Sequence, residues 1–396
     1  MTVRDEANGG RPRLALVAHG VHDHGGMERS FAELVHRLHD RYELVVISSD
    51  LGDPLRPLVE WRRIRIPQRP APLRFAVFWF AAAAHVRRER AALIHTLGAI
   101  VPNTVDMATV PHCHAGFRRA ASHLAPPDAP WSRRLNTALT RTVGLAAERV
   151  SYRPRRVRAV VPVSAGVAKE LRQDYPGLAL EVIPNGVDSD RFRQNGRARR
   201  EVRAEFSISD EEVVAIFVGS DWHAKGLAIA IEAVAAARSS TELSIRLLVA
   251  GRGDERFFRR LASDLALADA VVFAGWRSDA ERLYAAADMF VFPSLYEAFP
   301  LVALEAAAAG LPIVAPLING IEELIADGEA GVPVERSAES VGAAIALLAE
   351  NAELRHRLGV RGRERVLEYT WARWADSHDA IYRSLLDVEP RSRAEP

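Results

Sequence analysis

Two carboxylates, Glu297 and Glu305, stand in the stretch FVFPSLYEAFPLVALEAAAAGLPIVAP, residues 290–316. It reads as strand, loop, helix, strand. Pro300 falls near the first helical position, where its missing N–H costs nothing. Glu297 therefore precedes the helix and Glu305 lies inside it, with Phe299, Pro300 and Leu301 forming its entry. The first amides of a helix lack intrahelical partners and carry partial positive charge, which suits a phosphate. Carboxylates beside such a seat can accept hydrogen bonds from hydroxyls. Together these groups fit a phosphorylated, hydroxyl-rich ligand such as a nucleotide-sugar. Glu305 is flanked by VAL and AAAA, and a carboxylate in so apolar a helix needs a polar partner.

Other post-strand turns carry chemistry of the same kind. HDHGGMER, residues 22–29, follows an apolar strand and opens a helix. Gly25 and Gly26 would let the backbone approach a phosphate, although two glycines before a helix also make an ordinary tight turn. The spacing is not a dinucleotide fingerprint, and no GxxxxGKS loop is present. FVGSDWHAKGL, residues 217–227, places Lys225 at a helix start, where a cation works against the macrodipole. It gains there if it meets a diphosphate held by the same amides; otherwise it is a solvated surface lysine. Ser220 stands in that loop, and Arg252 in the glycine-rich turn VAGRGD. His112 and His114 in VPHCHAGF would face one way in an extended chain. With Cys113 between them they invite a zinc reading, but no fourth ligand lies at metal spacing, so no metal is expected. A hydrogen bond to a sugar hydroxyl suits them better.

Short apolar strands must position these loops. They are read at residues 13–18, 43–49, 158–163 and 180–183, then at 213–218, 245–250, 271–274, 289–292 and 313–315. The alternating helices include one predicted over 74–97, an amphipathic one over 133–149 and one after Ser164, a credible N-cap. Residues 99–130 read as loops, and the polar, basic stretch 185–210 as the linker. Three helices close the chain, the last over 371–386. Alternation of this kind means parallel sheets covered on both faces, with ligand loops beyond the strand C-termini.

At 396 residues, 48% apolar and 26% charged, the chain is expected to fold as two globular domains. Its one cysteine excludes an internal disulfide and fits a reducing compartment. MTVRDEANGGRPR has no apolar core of a signal peptide. The apolar run FAVFWFAAAA is too short to span a bilayer and reads as a buried helix, with a membrane-surface helix as the alternative. Residues 111–200 hold 17 Lys or Arg against 7 Asp or Glu, although the whole chain is only +1. That segment suits phosphates or an anionic membrane face. Aromatics do not interleave with the arginines, so no nucleic-acid partner is expected.

Taken in order, GGMER, VPVSAGVAKEL, VIPNGVD, FVG with KG, VAGRGD, YAAADMFVFPS and the E-x7-E pair resemble the retaining glycosyltransferases of the GT-B fold, family 4. The resemblance covers essentially the whole chain. It implies an α/β architecture of two Rossmann-like domains, 1–188 and 189–370, whose parallel sheets face across a cleft. A last helix and tail, 371–396, would return to the first domain. The second domain would bind a nucleotide-diphospho-sugar, and the first would serve a hydroxyl acceptor. Glu297 would hold the transferred sugar near C3 and C4, Glu305 the ribose, and Lys225 the diphosphate, helped by Gly25 and Gly26. His114, or else His112, would sit beside the sugar. No cofactor is implied beyond the nucleotide-sugar co-substrate. Family members often carry arginine directly after FVG; here Ser220 stands there, followed by Asp221, so that either Arg252 or His223 substitutes or the diphosphate clamp is weaker. Two alternatives stay open: an epimerase or phosphorylase on the same scaffold, or a sugar-nucleotide-binding protein without catalysis. The expected location is the cytoplasm, with the inner membrane face as the place for a peripheral contact and a lipid-linked compound among the acceptors.

Overall fold

The apolar runs pair as parallel ladders in two separate six-stranded sheets. The computed structural model describes residues 10–23, 25–121 and 131–388; His24, residues 122–130 of the loop-rich stretch and both chain ends lie outside it. The chain divides into two units, one formed by residues 1–185 with 371–396, the other by residues 186–370.

In the first unit the strand order is Glu60–Arg63, Glu43–Ser48, Arg13–Val17, Leu93–Leu97, Val105–Val110, Val157–Pro162. Ala15 pairs with Val45 on one side and Ile94 on the other. In the second unit the order is Val271–Gly275, Ile245–Arg252, Val213–Ser220, Met289–Val291, Ile313–Ala315, Gly331–Pro333. Ile216 pairs with Leu248 and Phe290. Both sheets thus start at a central strand, build outward one way, and then reverse. This is the doubly wound Rossmann arrangement, and loops diverge at the reversal to leave a ligand crevice. The central strands are buried along most of their length because helices cover both faces.

Several expectations need correction. The helix predicted over 74–97 ends early: a helix spans Ala71–Arg88, and Leu93–Leu97 is a central strand buried at every position. A continuous apolar run has no period to separate strand from helix, and β-branched Ile94 and Thr96 favour the strand. The strand expected at 180–183 makes only one bridge, Leu180 to Val160. Its neighbouring strand ends at Pro162, which has no N–H to continue a ladder. Within the stretch read as loops, Val105–Val110 is a buried strand. Within the stretch read as linker, Asn195 caps a helix, Gly196–Glu205. Its Arg203 is 1% exposed and bonds to Asp288 at 2.8 Å and to the carbonyls of Ala286, Ser209 and Glu212. That arginine is a buried staple, its charge matched by a carboxylate. Part of the basic segment is also paired: Arg158 with Asp106, Arg119 with Asp174 and Arg199 with Asp288.

The final helix, Trp371–Asp387, packs on the first sheet through a buried polar chain. His378 Nδ1 lies 2.9 Å from the Trp374 carbonyl, so this nitrogen donates. Nε2 must then accept, from Thr109 Oγ1 at 3.0 Å. Thr109 Oγ1 accepts in turn from His95 Nε2 at 2.8 Å, and His95 Nδ1 accepts from Tyr382 OH at 2.6 Å. Each member is satisfied with both imidazoles neutral. Beside it Tyr42 OH donates to Asp379 at 2.6 Å, and Arg41 pairs with the same carboxylate.

Candidate active site

The second unit reverses its strand order between Val213–Ser220 and Met289–Val291, and the loops leaving these strands carry Lys225 and Glu297. The structure brings the two together: Lys225 Nζ is ion-paired with Glu297 Oε1 across 72 residues of sequence. Ser294 Oγ donates to the same oxygen at 2.7 Å, and Lys225 Nζ lies 5.8 Å from the centroid of the Phe292 ring. Glu297 keeps 11% and Lys225 27% of side-chain exposure, so both remain within reach of a ligand. The helix that follows Lys225, Leu227–Ser240, starts from Gly226 at φ 82. A side chain there would collide with the Pro293 carbonyl, which the chain approaches to join the two loops.

Glu305 lies one and a half turns into the helix Leu301–Ala308, whose N-cap is Pro300. The polar partner that its apolar surroundings demand is Tyr284, whose hydroxyl is 3.1 Å from Oε2. Burial first, and then the Glu305 charge, push the Tyr284 phenol upward, so it remains a donor. Phe299 is buried, and Gly320 at φ 79 packs against its Cα, fixing the entry to the helix.

Ser220 is exposed at the end of its strand. Trp222 is buried on Phe258 and Phe273, with its indole N–H on the Gly219 carbonyl at 2.9 Å. Its ring covers Gly253, where a side chain would clash, and Gly251 at φ 121 abuts Gly219. The turn VAGRGD is therefore needed for packing as well as for access. Arg252 is exposed, its guanidinium 4.8 Å from the centroid of the half-exposed Trp276 ring. His223 packs on the rings of Phe257 and Phe258.

In the first unit Gly26 caps the helix Met27–Leu38, and Gly25 at φ 88 lies under the Glu28 carboxylate. His112 and His114 meet edge to face at 4.9 Å in the loop after Val105–Val110. His114 opens the helix His114–Ala120, capped by the Cys113 thiol. Burial, then the charge of Arg141, lower the His114 pKa and keep its ring neutral. Cys113 is buried, which pushes its thiol up to about 12. Among the described residues no group of three or more His, Cys, Asp or Glu could hold a metal.

Ser294, Tyr284, Trp222 and Glu148 were missed in the sequence. Glu148 is 1% exposed, and its carboxylate accepts the backbone N–H of His114 at 2.7 Å and of Ala115 at 3.1 Å, and Tyr175 OH at 2.8 Å. Burial raises its pKa to about 7 against the pull of those donors. Its one early signal was a lone acid in an arginine-rich amphipathic stretch.

Comparison with known proteins agrees with this fold. Residues 198–365 match the family described as Glycosyl transferases group 1, and residues 24–191 match Glycosyltransferase Family 4. Alpha-maltose-1-phosphate synthase of Mycobacterium tuberculosis is 30% identical over a 340-residue alignment that covers 74% of this chain and 84% of that protein. Among solved structures, WaaG, a glycosyltransferase involved in lipopolysaccharide biosynthesis, superposes with a TM-score of 0.79 at 21% identity, covering 93% of this chain and 99% of WaaG. Anabaena HepE, solved with UDP and glucose, gives 0.72 at 16% identity over 94% of this chain and 100% of its own. The chain belongs to the family 4 glycosyltransferases of the GT-B fold, enzymes that transfer a sugar from a nucleotide-diphospho-sugar to an acceptor.

Proposed function

We propose that this enzyme transfers a hexosyl or related sugar from its nucleotide donor to an acceptor hydroxyl with retention of anomeric configuration, and that the donor is held by the second unit. The Lys225–Glu297 pair at the reversal of the strand order carries the reading. A diphosphate outcompetes one carboxylate for the lysine. Glu297, released from it, accepts hydroxyls of the transferred sugar. Lys225, with the backbone N–H groups of Phe299, Leu301 and Ser220, stabilises the negative charge that grows on the departing diphosphate, and Pro300 fixes the entry of the helix that presents them. Glu305, steadied by Tyr284, binds the ribose hydroxyls. Arg252 takes the place of the family's arginine, because His223 is engaged by Phe257 and Phe258. Gly25 and Gly26 bring backbone to the phosphates, and His114 with His112 is the first unit's contribution to the sugar. The HepE complex with UDP and glucose supports a donor of this class.

Screening UDP-, GDP- and ADP-sugars for protection against thermal unfolding tests the donor site. At least one raises the melting temperature, and Glu305→Ala weakens its binding by about 1–3 kcal/mol, as loss of a charged hydrogen-bond acceptor should. Wild-type affinity in Glu305→Ala would remove that assignment.

A membrane-proximal acceptor is favoured by one surface of the first unit. Trp131, Leu135 and Leu139 follow one another at single-turn spacing and are exposed, Trp131 by 77%, with Arg134 beside them. Their helix packs on Ala71–Arg88, where Phe80 is 70% exposed although Phe78, Ala82 and Val86 are buried. The FAVFWFAAAA helix is therefore part core and part surface. No helix among the described residues is long and apolar enough to cross a membrane. The enzyme is expected to float with vesicles containing anionic lipid. Serine at 131, 135 and 139 weakens that binding at least about tenfold. Equal flotation of the triple variant would exclude this surface as the contact.

A further inference from the structure

The helix Trp131–Ser151 presents Gly144 and Glu148, one turn apart, to the loop that carries His112 and His114. The Glu148 carboxylate grips the two amides that begin the next helix, at His114 and Ala115, and is itself fixed by Tyr175 OH. One turn earlier, a side chain added at Gly144 would lie 2.8 Å from His114 Nε2. On the far side of the short helix, Gly116 lies so close to the Glu170 carboxylate that a side chain would collide with it. The backbone at His114 is therefore gripped by one acid and pressed on another, and its ring rests on bare main chain.

A carboxylate at 1% exposure, in a position that an apolar side chain could fill, is costly to maintain. Capping a helix of seven residues does not need one, because the Cys113 thiol already accepts the Gly116 N–H. What the clamp adds is a defined position for the imidazole. A reacting geometry loses its rate when a contact group moves by a fraction of an ångström to one ångström.

We infer that Glu148 and Gly144 are positioning residues for His114, the carboxylate holding the backbone from which the imidazole projects and the glycine making room for the ring. This rests on the reading that His114 serves the transferred sugar, and the test separates the two. Gly144→Ala displaces the ring without touching the clamp; Glu148→Gln keeps the size and one acceptor oxygen of the clamp.

The expected result is a fall in kcat of about a hundredfold in Gly144→Ala, with the donor KM nearly unchanged because the donor is held by the second unit. Glu148→Gln falls less than Glu148→Ala. In a His114→Ala background Gly144→Ala adds no further loss, since the group it displaces is gone. The ring resonances of His114, read by NMR, shift in Gly144→Ala and Glu148→Gln. Should Glu148→Ala not fold, Gly144→Ala carries the test. Folded variants with unmoved His114 resonances would overturn the inference, as would losses that add in full to that of His114→Ala. Shifted resonances together with wild-type kcat in His114→Ala would uphold the positioning and refute the role given to His114 in transfer.

Discussion

Lys225→Ala lowers kcat for sugar transfer about a hundred- to a thousandfold, the loss seen when one fixed donor to a developing anion is removed. It also weakens binding of the nucleoside diphosphate. Glu297→Gln behaves differently because the two residues are paired with each other. Removing the carboxylate charge frees the lysine, so the nucleoside diphosphate binds as tightly as before or more tightly. Turnover nevertheless falls, since the sugar hydroxyls lose their acceptor. Steady-state kinetics and calorimetric titration of both variants check this opposition. Parallel losses of nucleotide affinity in the two would contradict the roles assigned here.

Acid weakens the attachment of the final helix. His95 and His378 are fully buried and neutral, and burial is the first cause that holds both below the ordinary imidazole value of 6.5, His378 at about 4. The groups facing them are Thr109, Tyr382 and the Trp374 carbonyl, with Asp379, Tyr42 and Arg41 alongside. None supplies a counter-charge directly to either ring. The sign follows from proton uptake. Between pH 6.5 and about 4 the unfolded chain binds protons that the folded chain refuses, so stability falls with pH across that window. The shift of His378 alone corresponds to about 3 kcal/mol. His19, lowered to about 4 by burial and then by Arg74, adds to this slope. Glu148 opposes it: its raised pKa stabilises the fold at low pH, an effect lost as pH rises from 4.5 through about 7. Denaturant unfolding at pH 7.5 and 4.5 reads the balance. The wild type is less stable at the lower pH, and His378→Gln has a flatter profile. Identical slopes would show that the buried imidazoles do not control acid sensitivity.

The second unit was the more legible in sequence. Its strands are short apolar runs bounded by Gly, Asp or Pro, and its helices start at recognisable turns, so 313–315 was placed to the residue. The first unit hides its central strand Leu93–Leu97 behind an apolar helix, with only Gly98 as punctuation. Lys225 was legible as chemistry because a cation at a helix start runs against local preference, and Glu297 because a carboxylate beside free helix amides can accept hydroxyls. Their contact was not, since it depends on the strand order. Glu148 and Tyr175 were illegible because their meaning lies in backbone amides 33 and 34 residues from the carboxylate. Ser220 remains the departure from family wording, and Trp276 under Arg252 is the neighbour that sequence did not suggest.

A crystal structure of the enzyme with the nucleoside diphosphate of its best donor tests the central claim most directly. The account predicts phosphate oxygens about 3 Å from Lys225 Nζ, the Lys225–Glu297 pair opened, and the ribose hydroxyls on Glu305. A nucleotide bound elsewhere, with that ion pair intact, would contradict it.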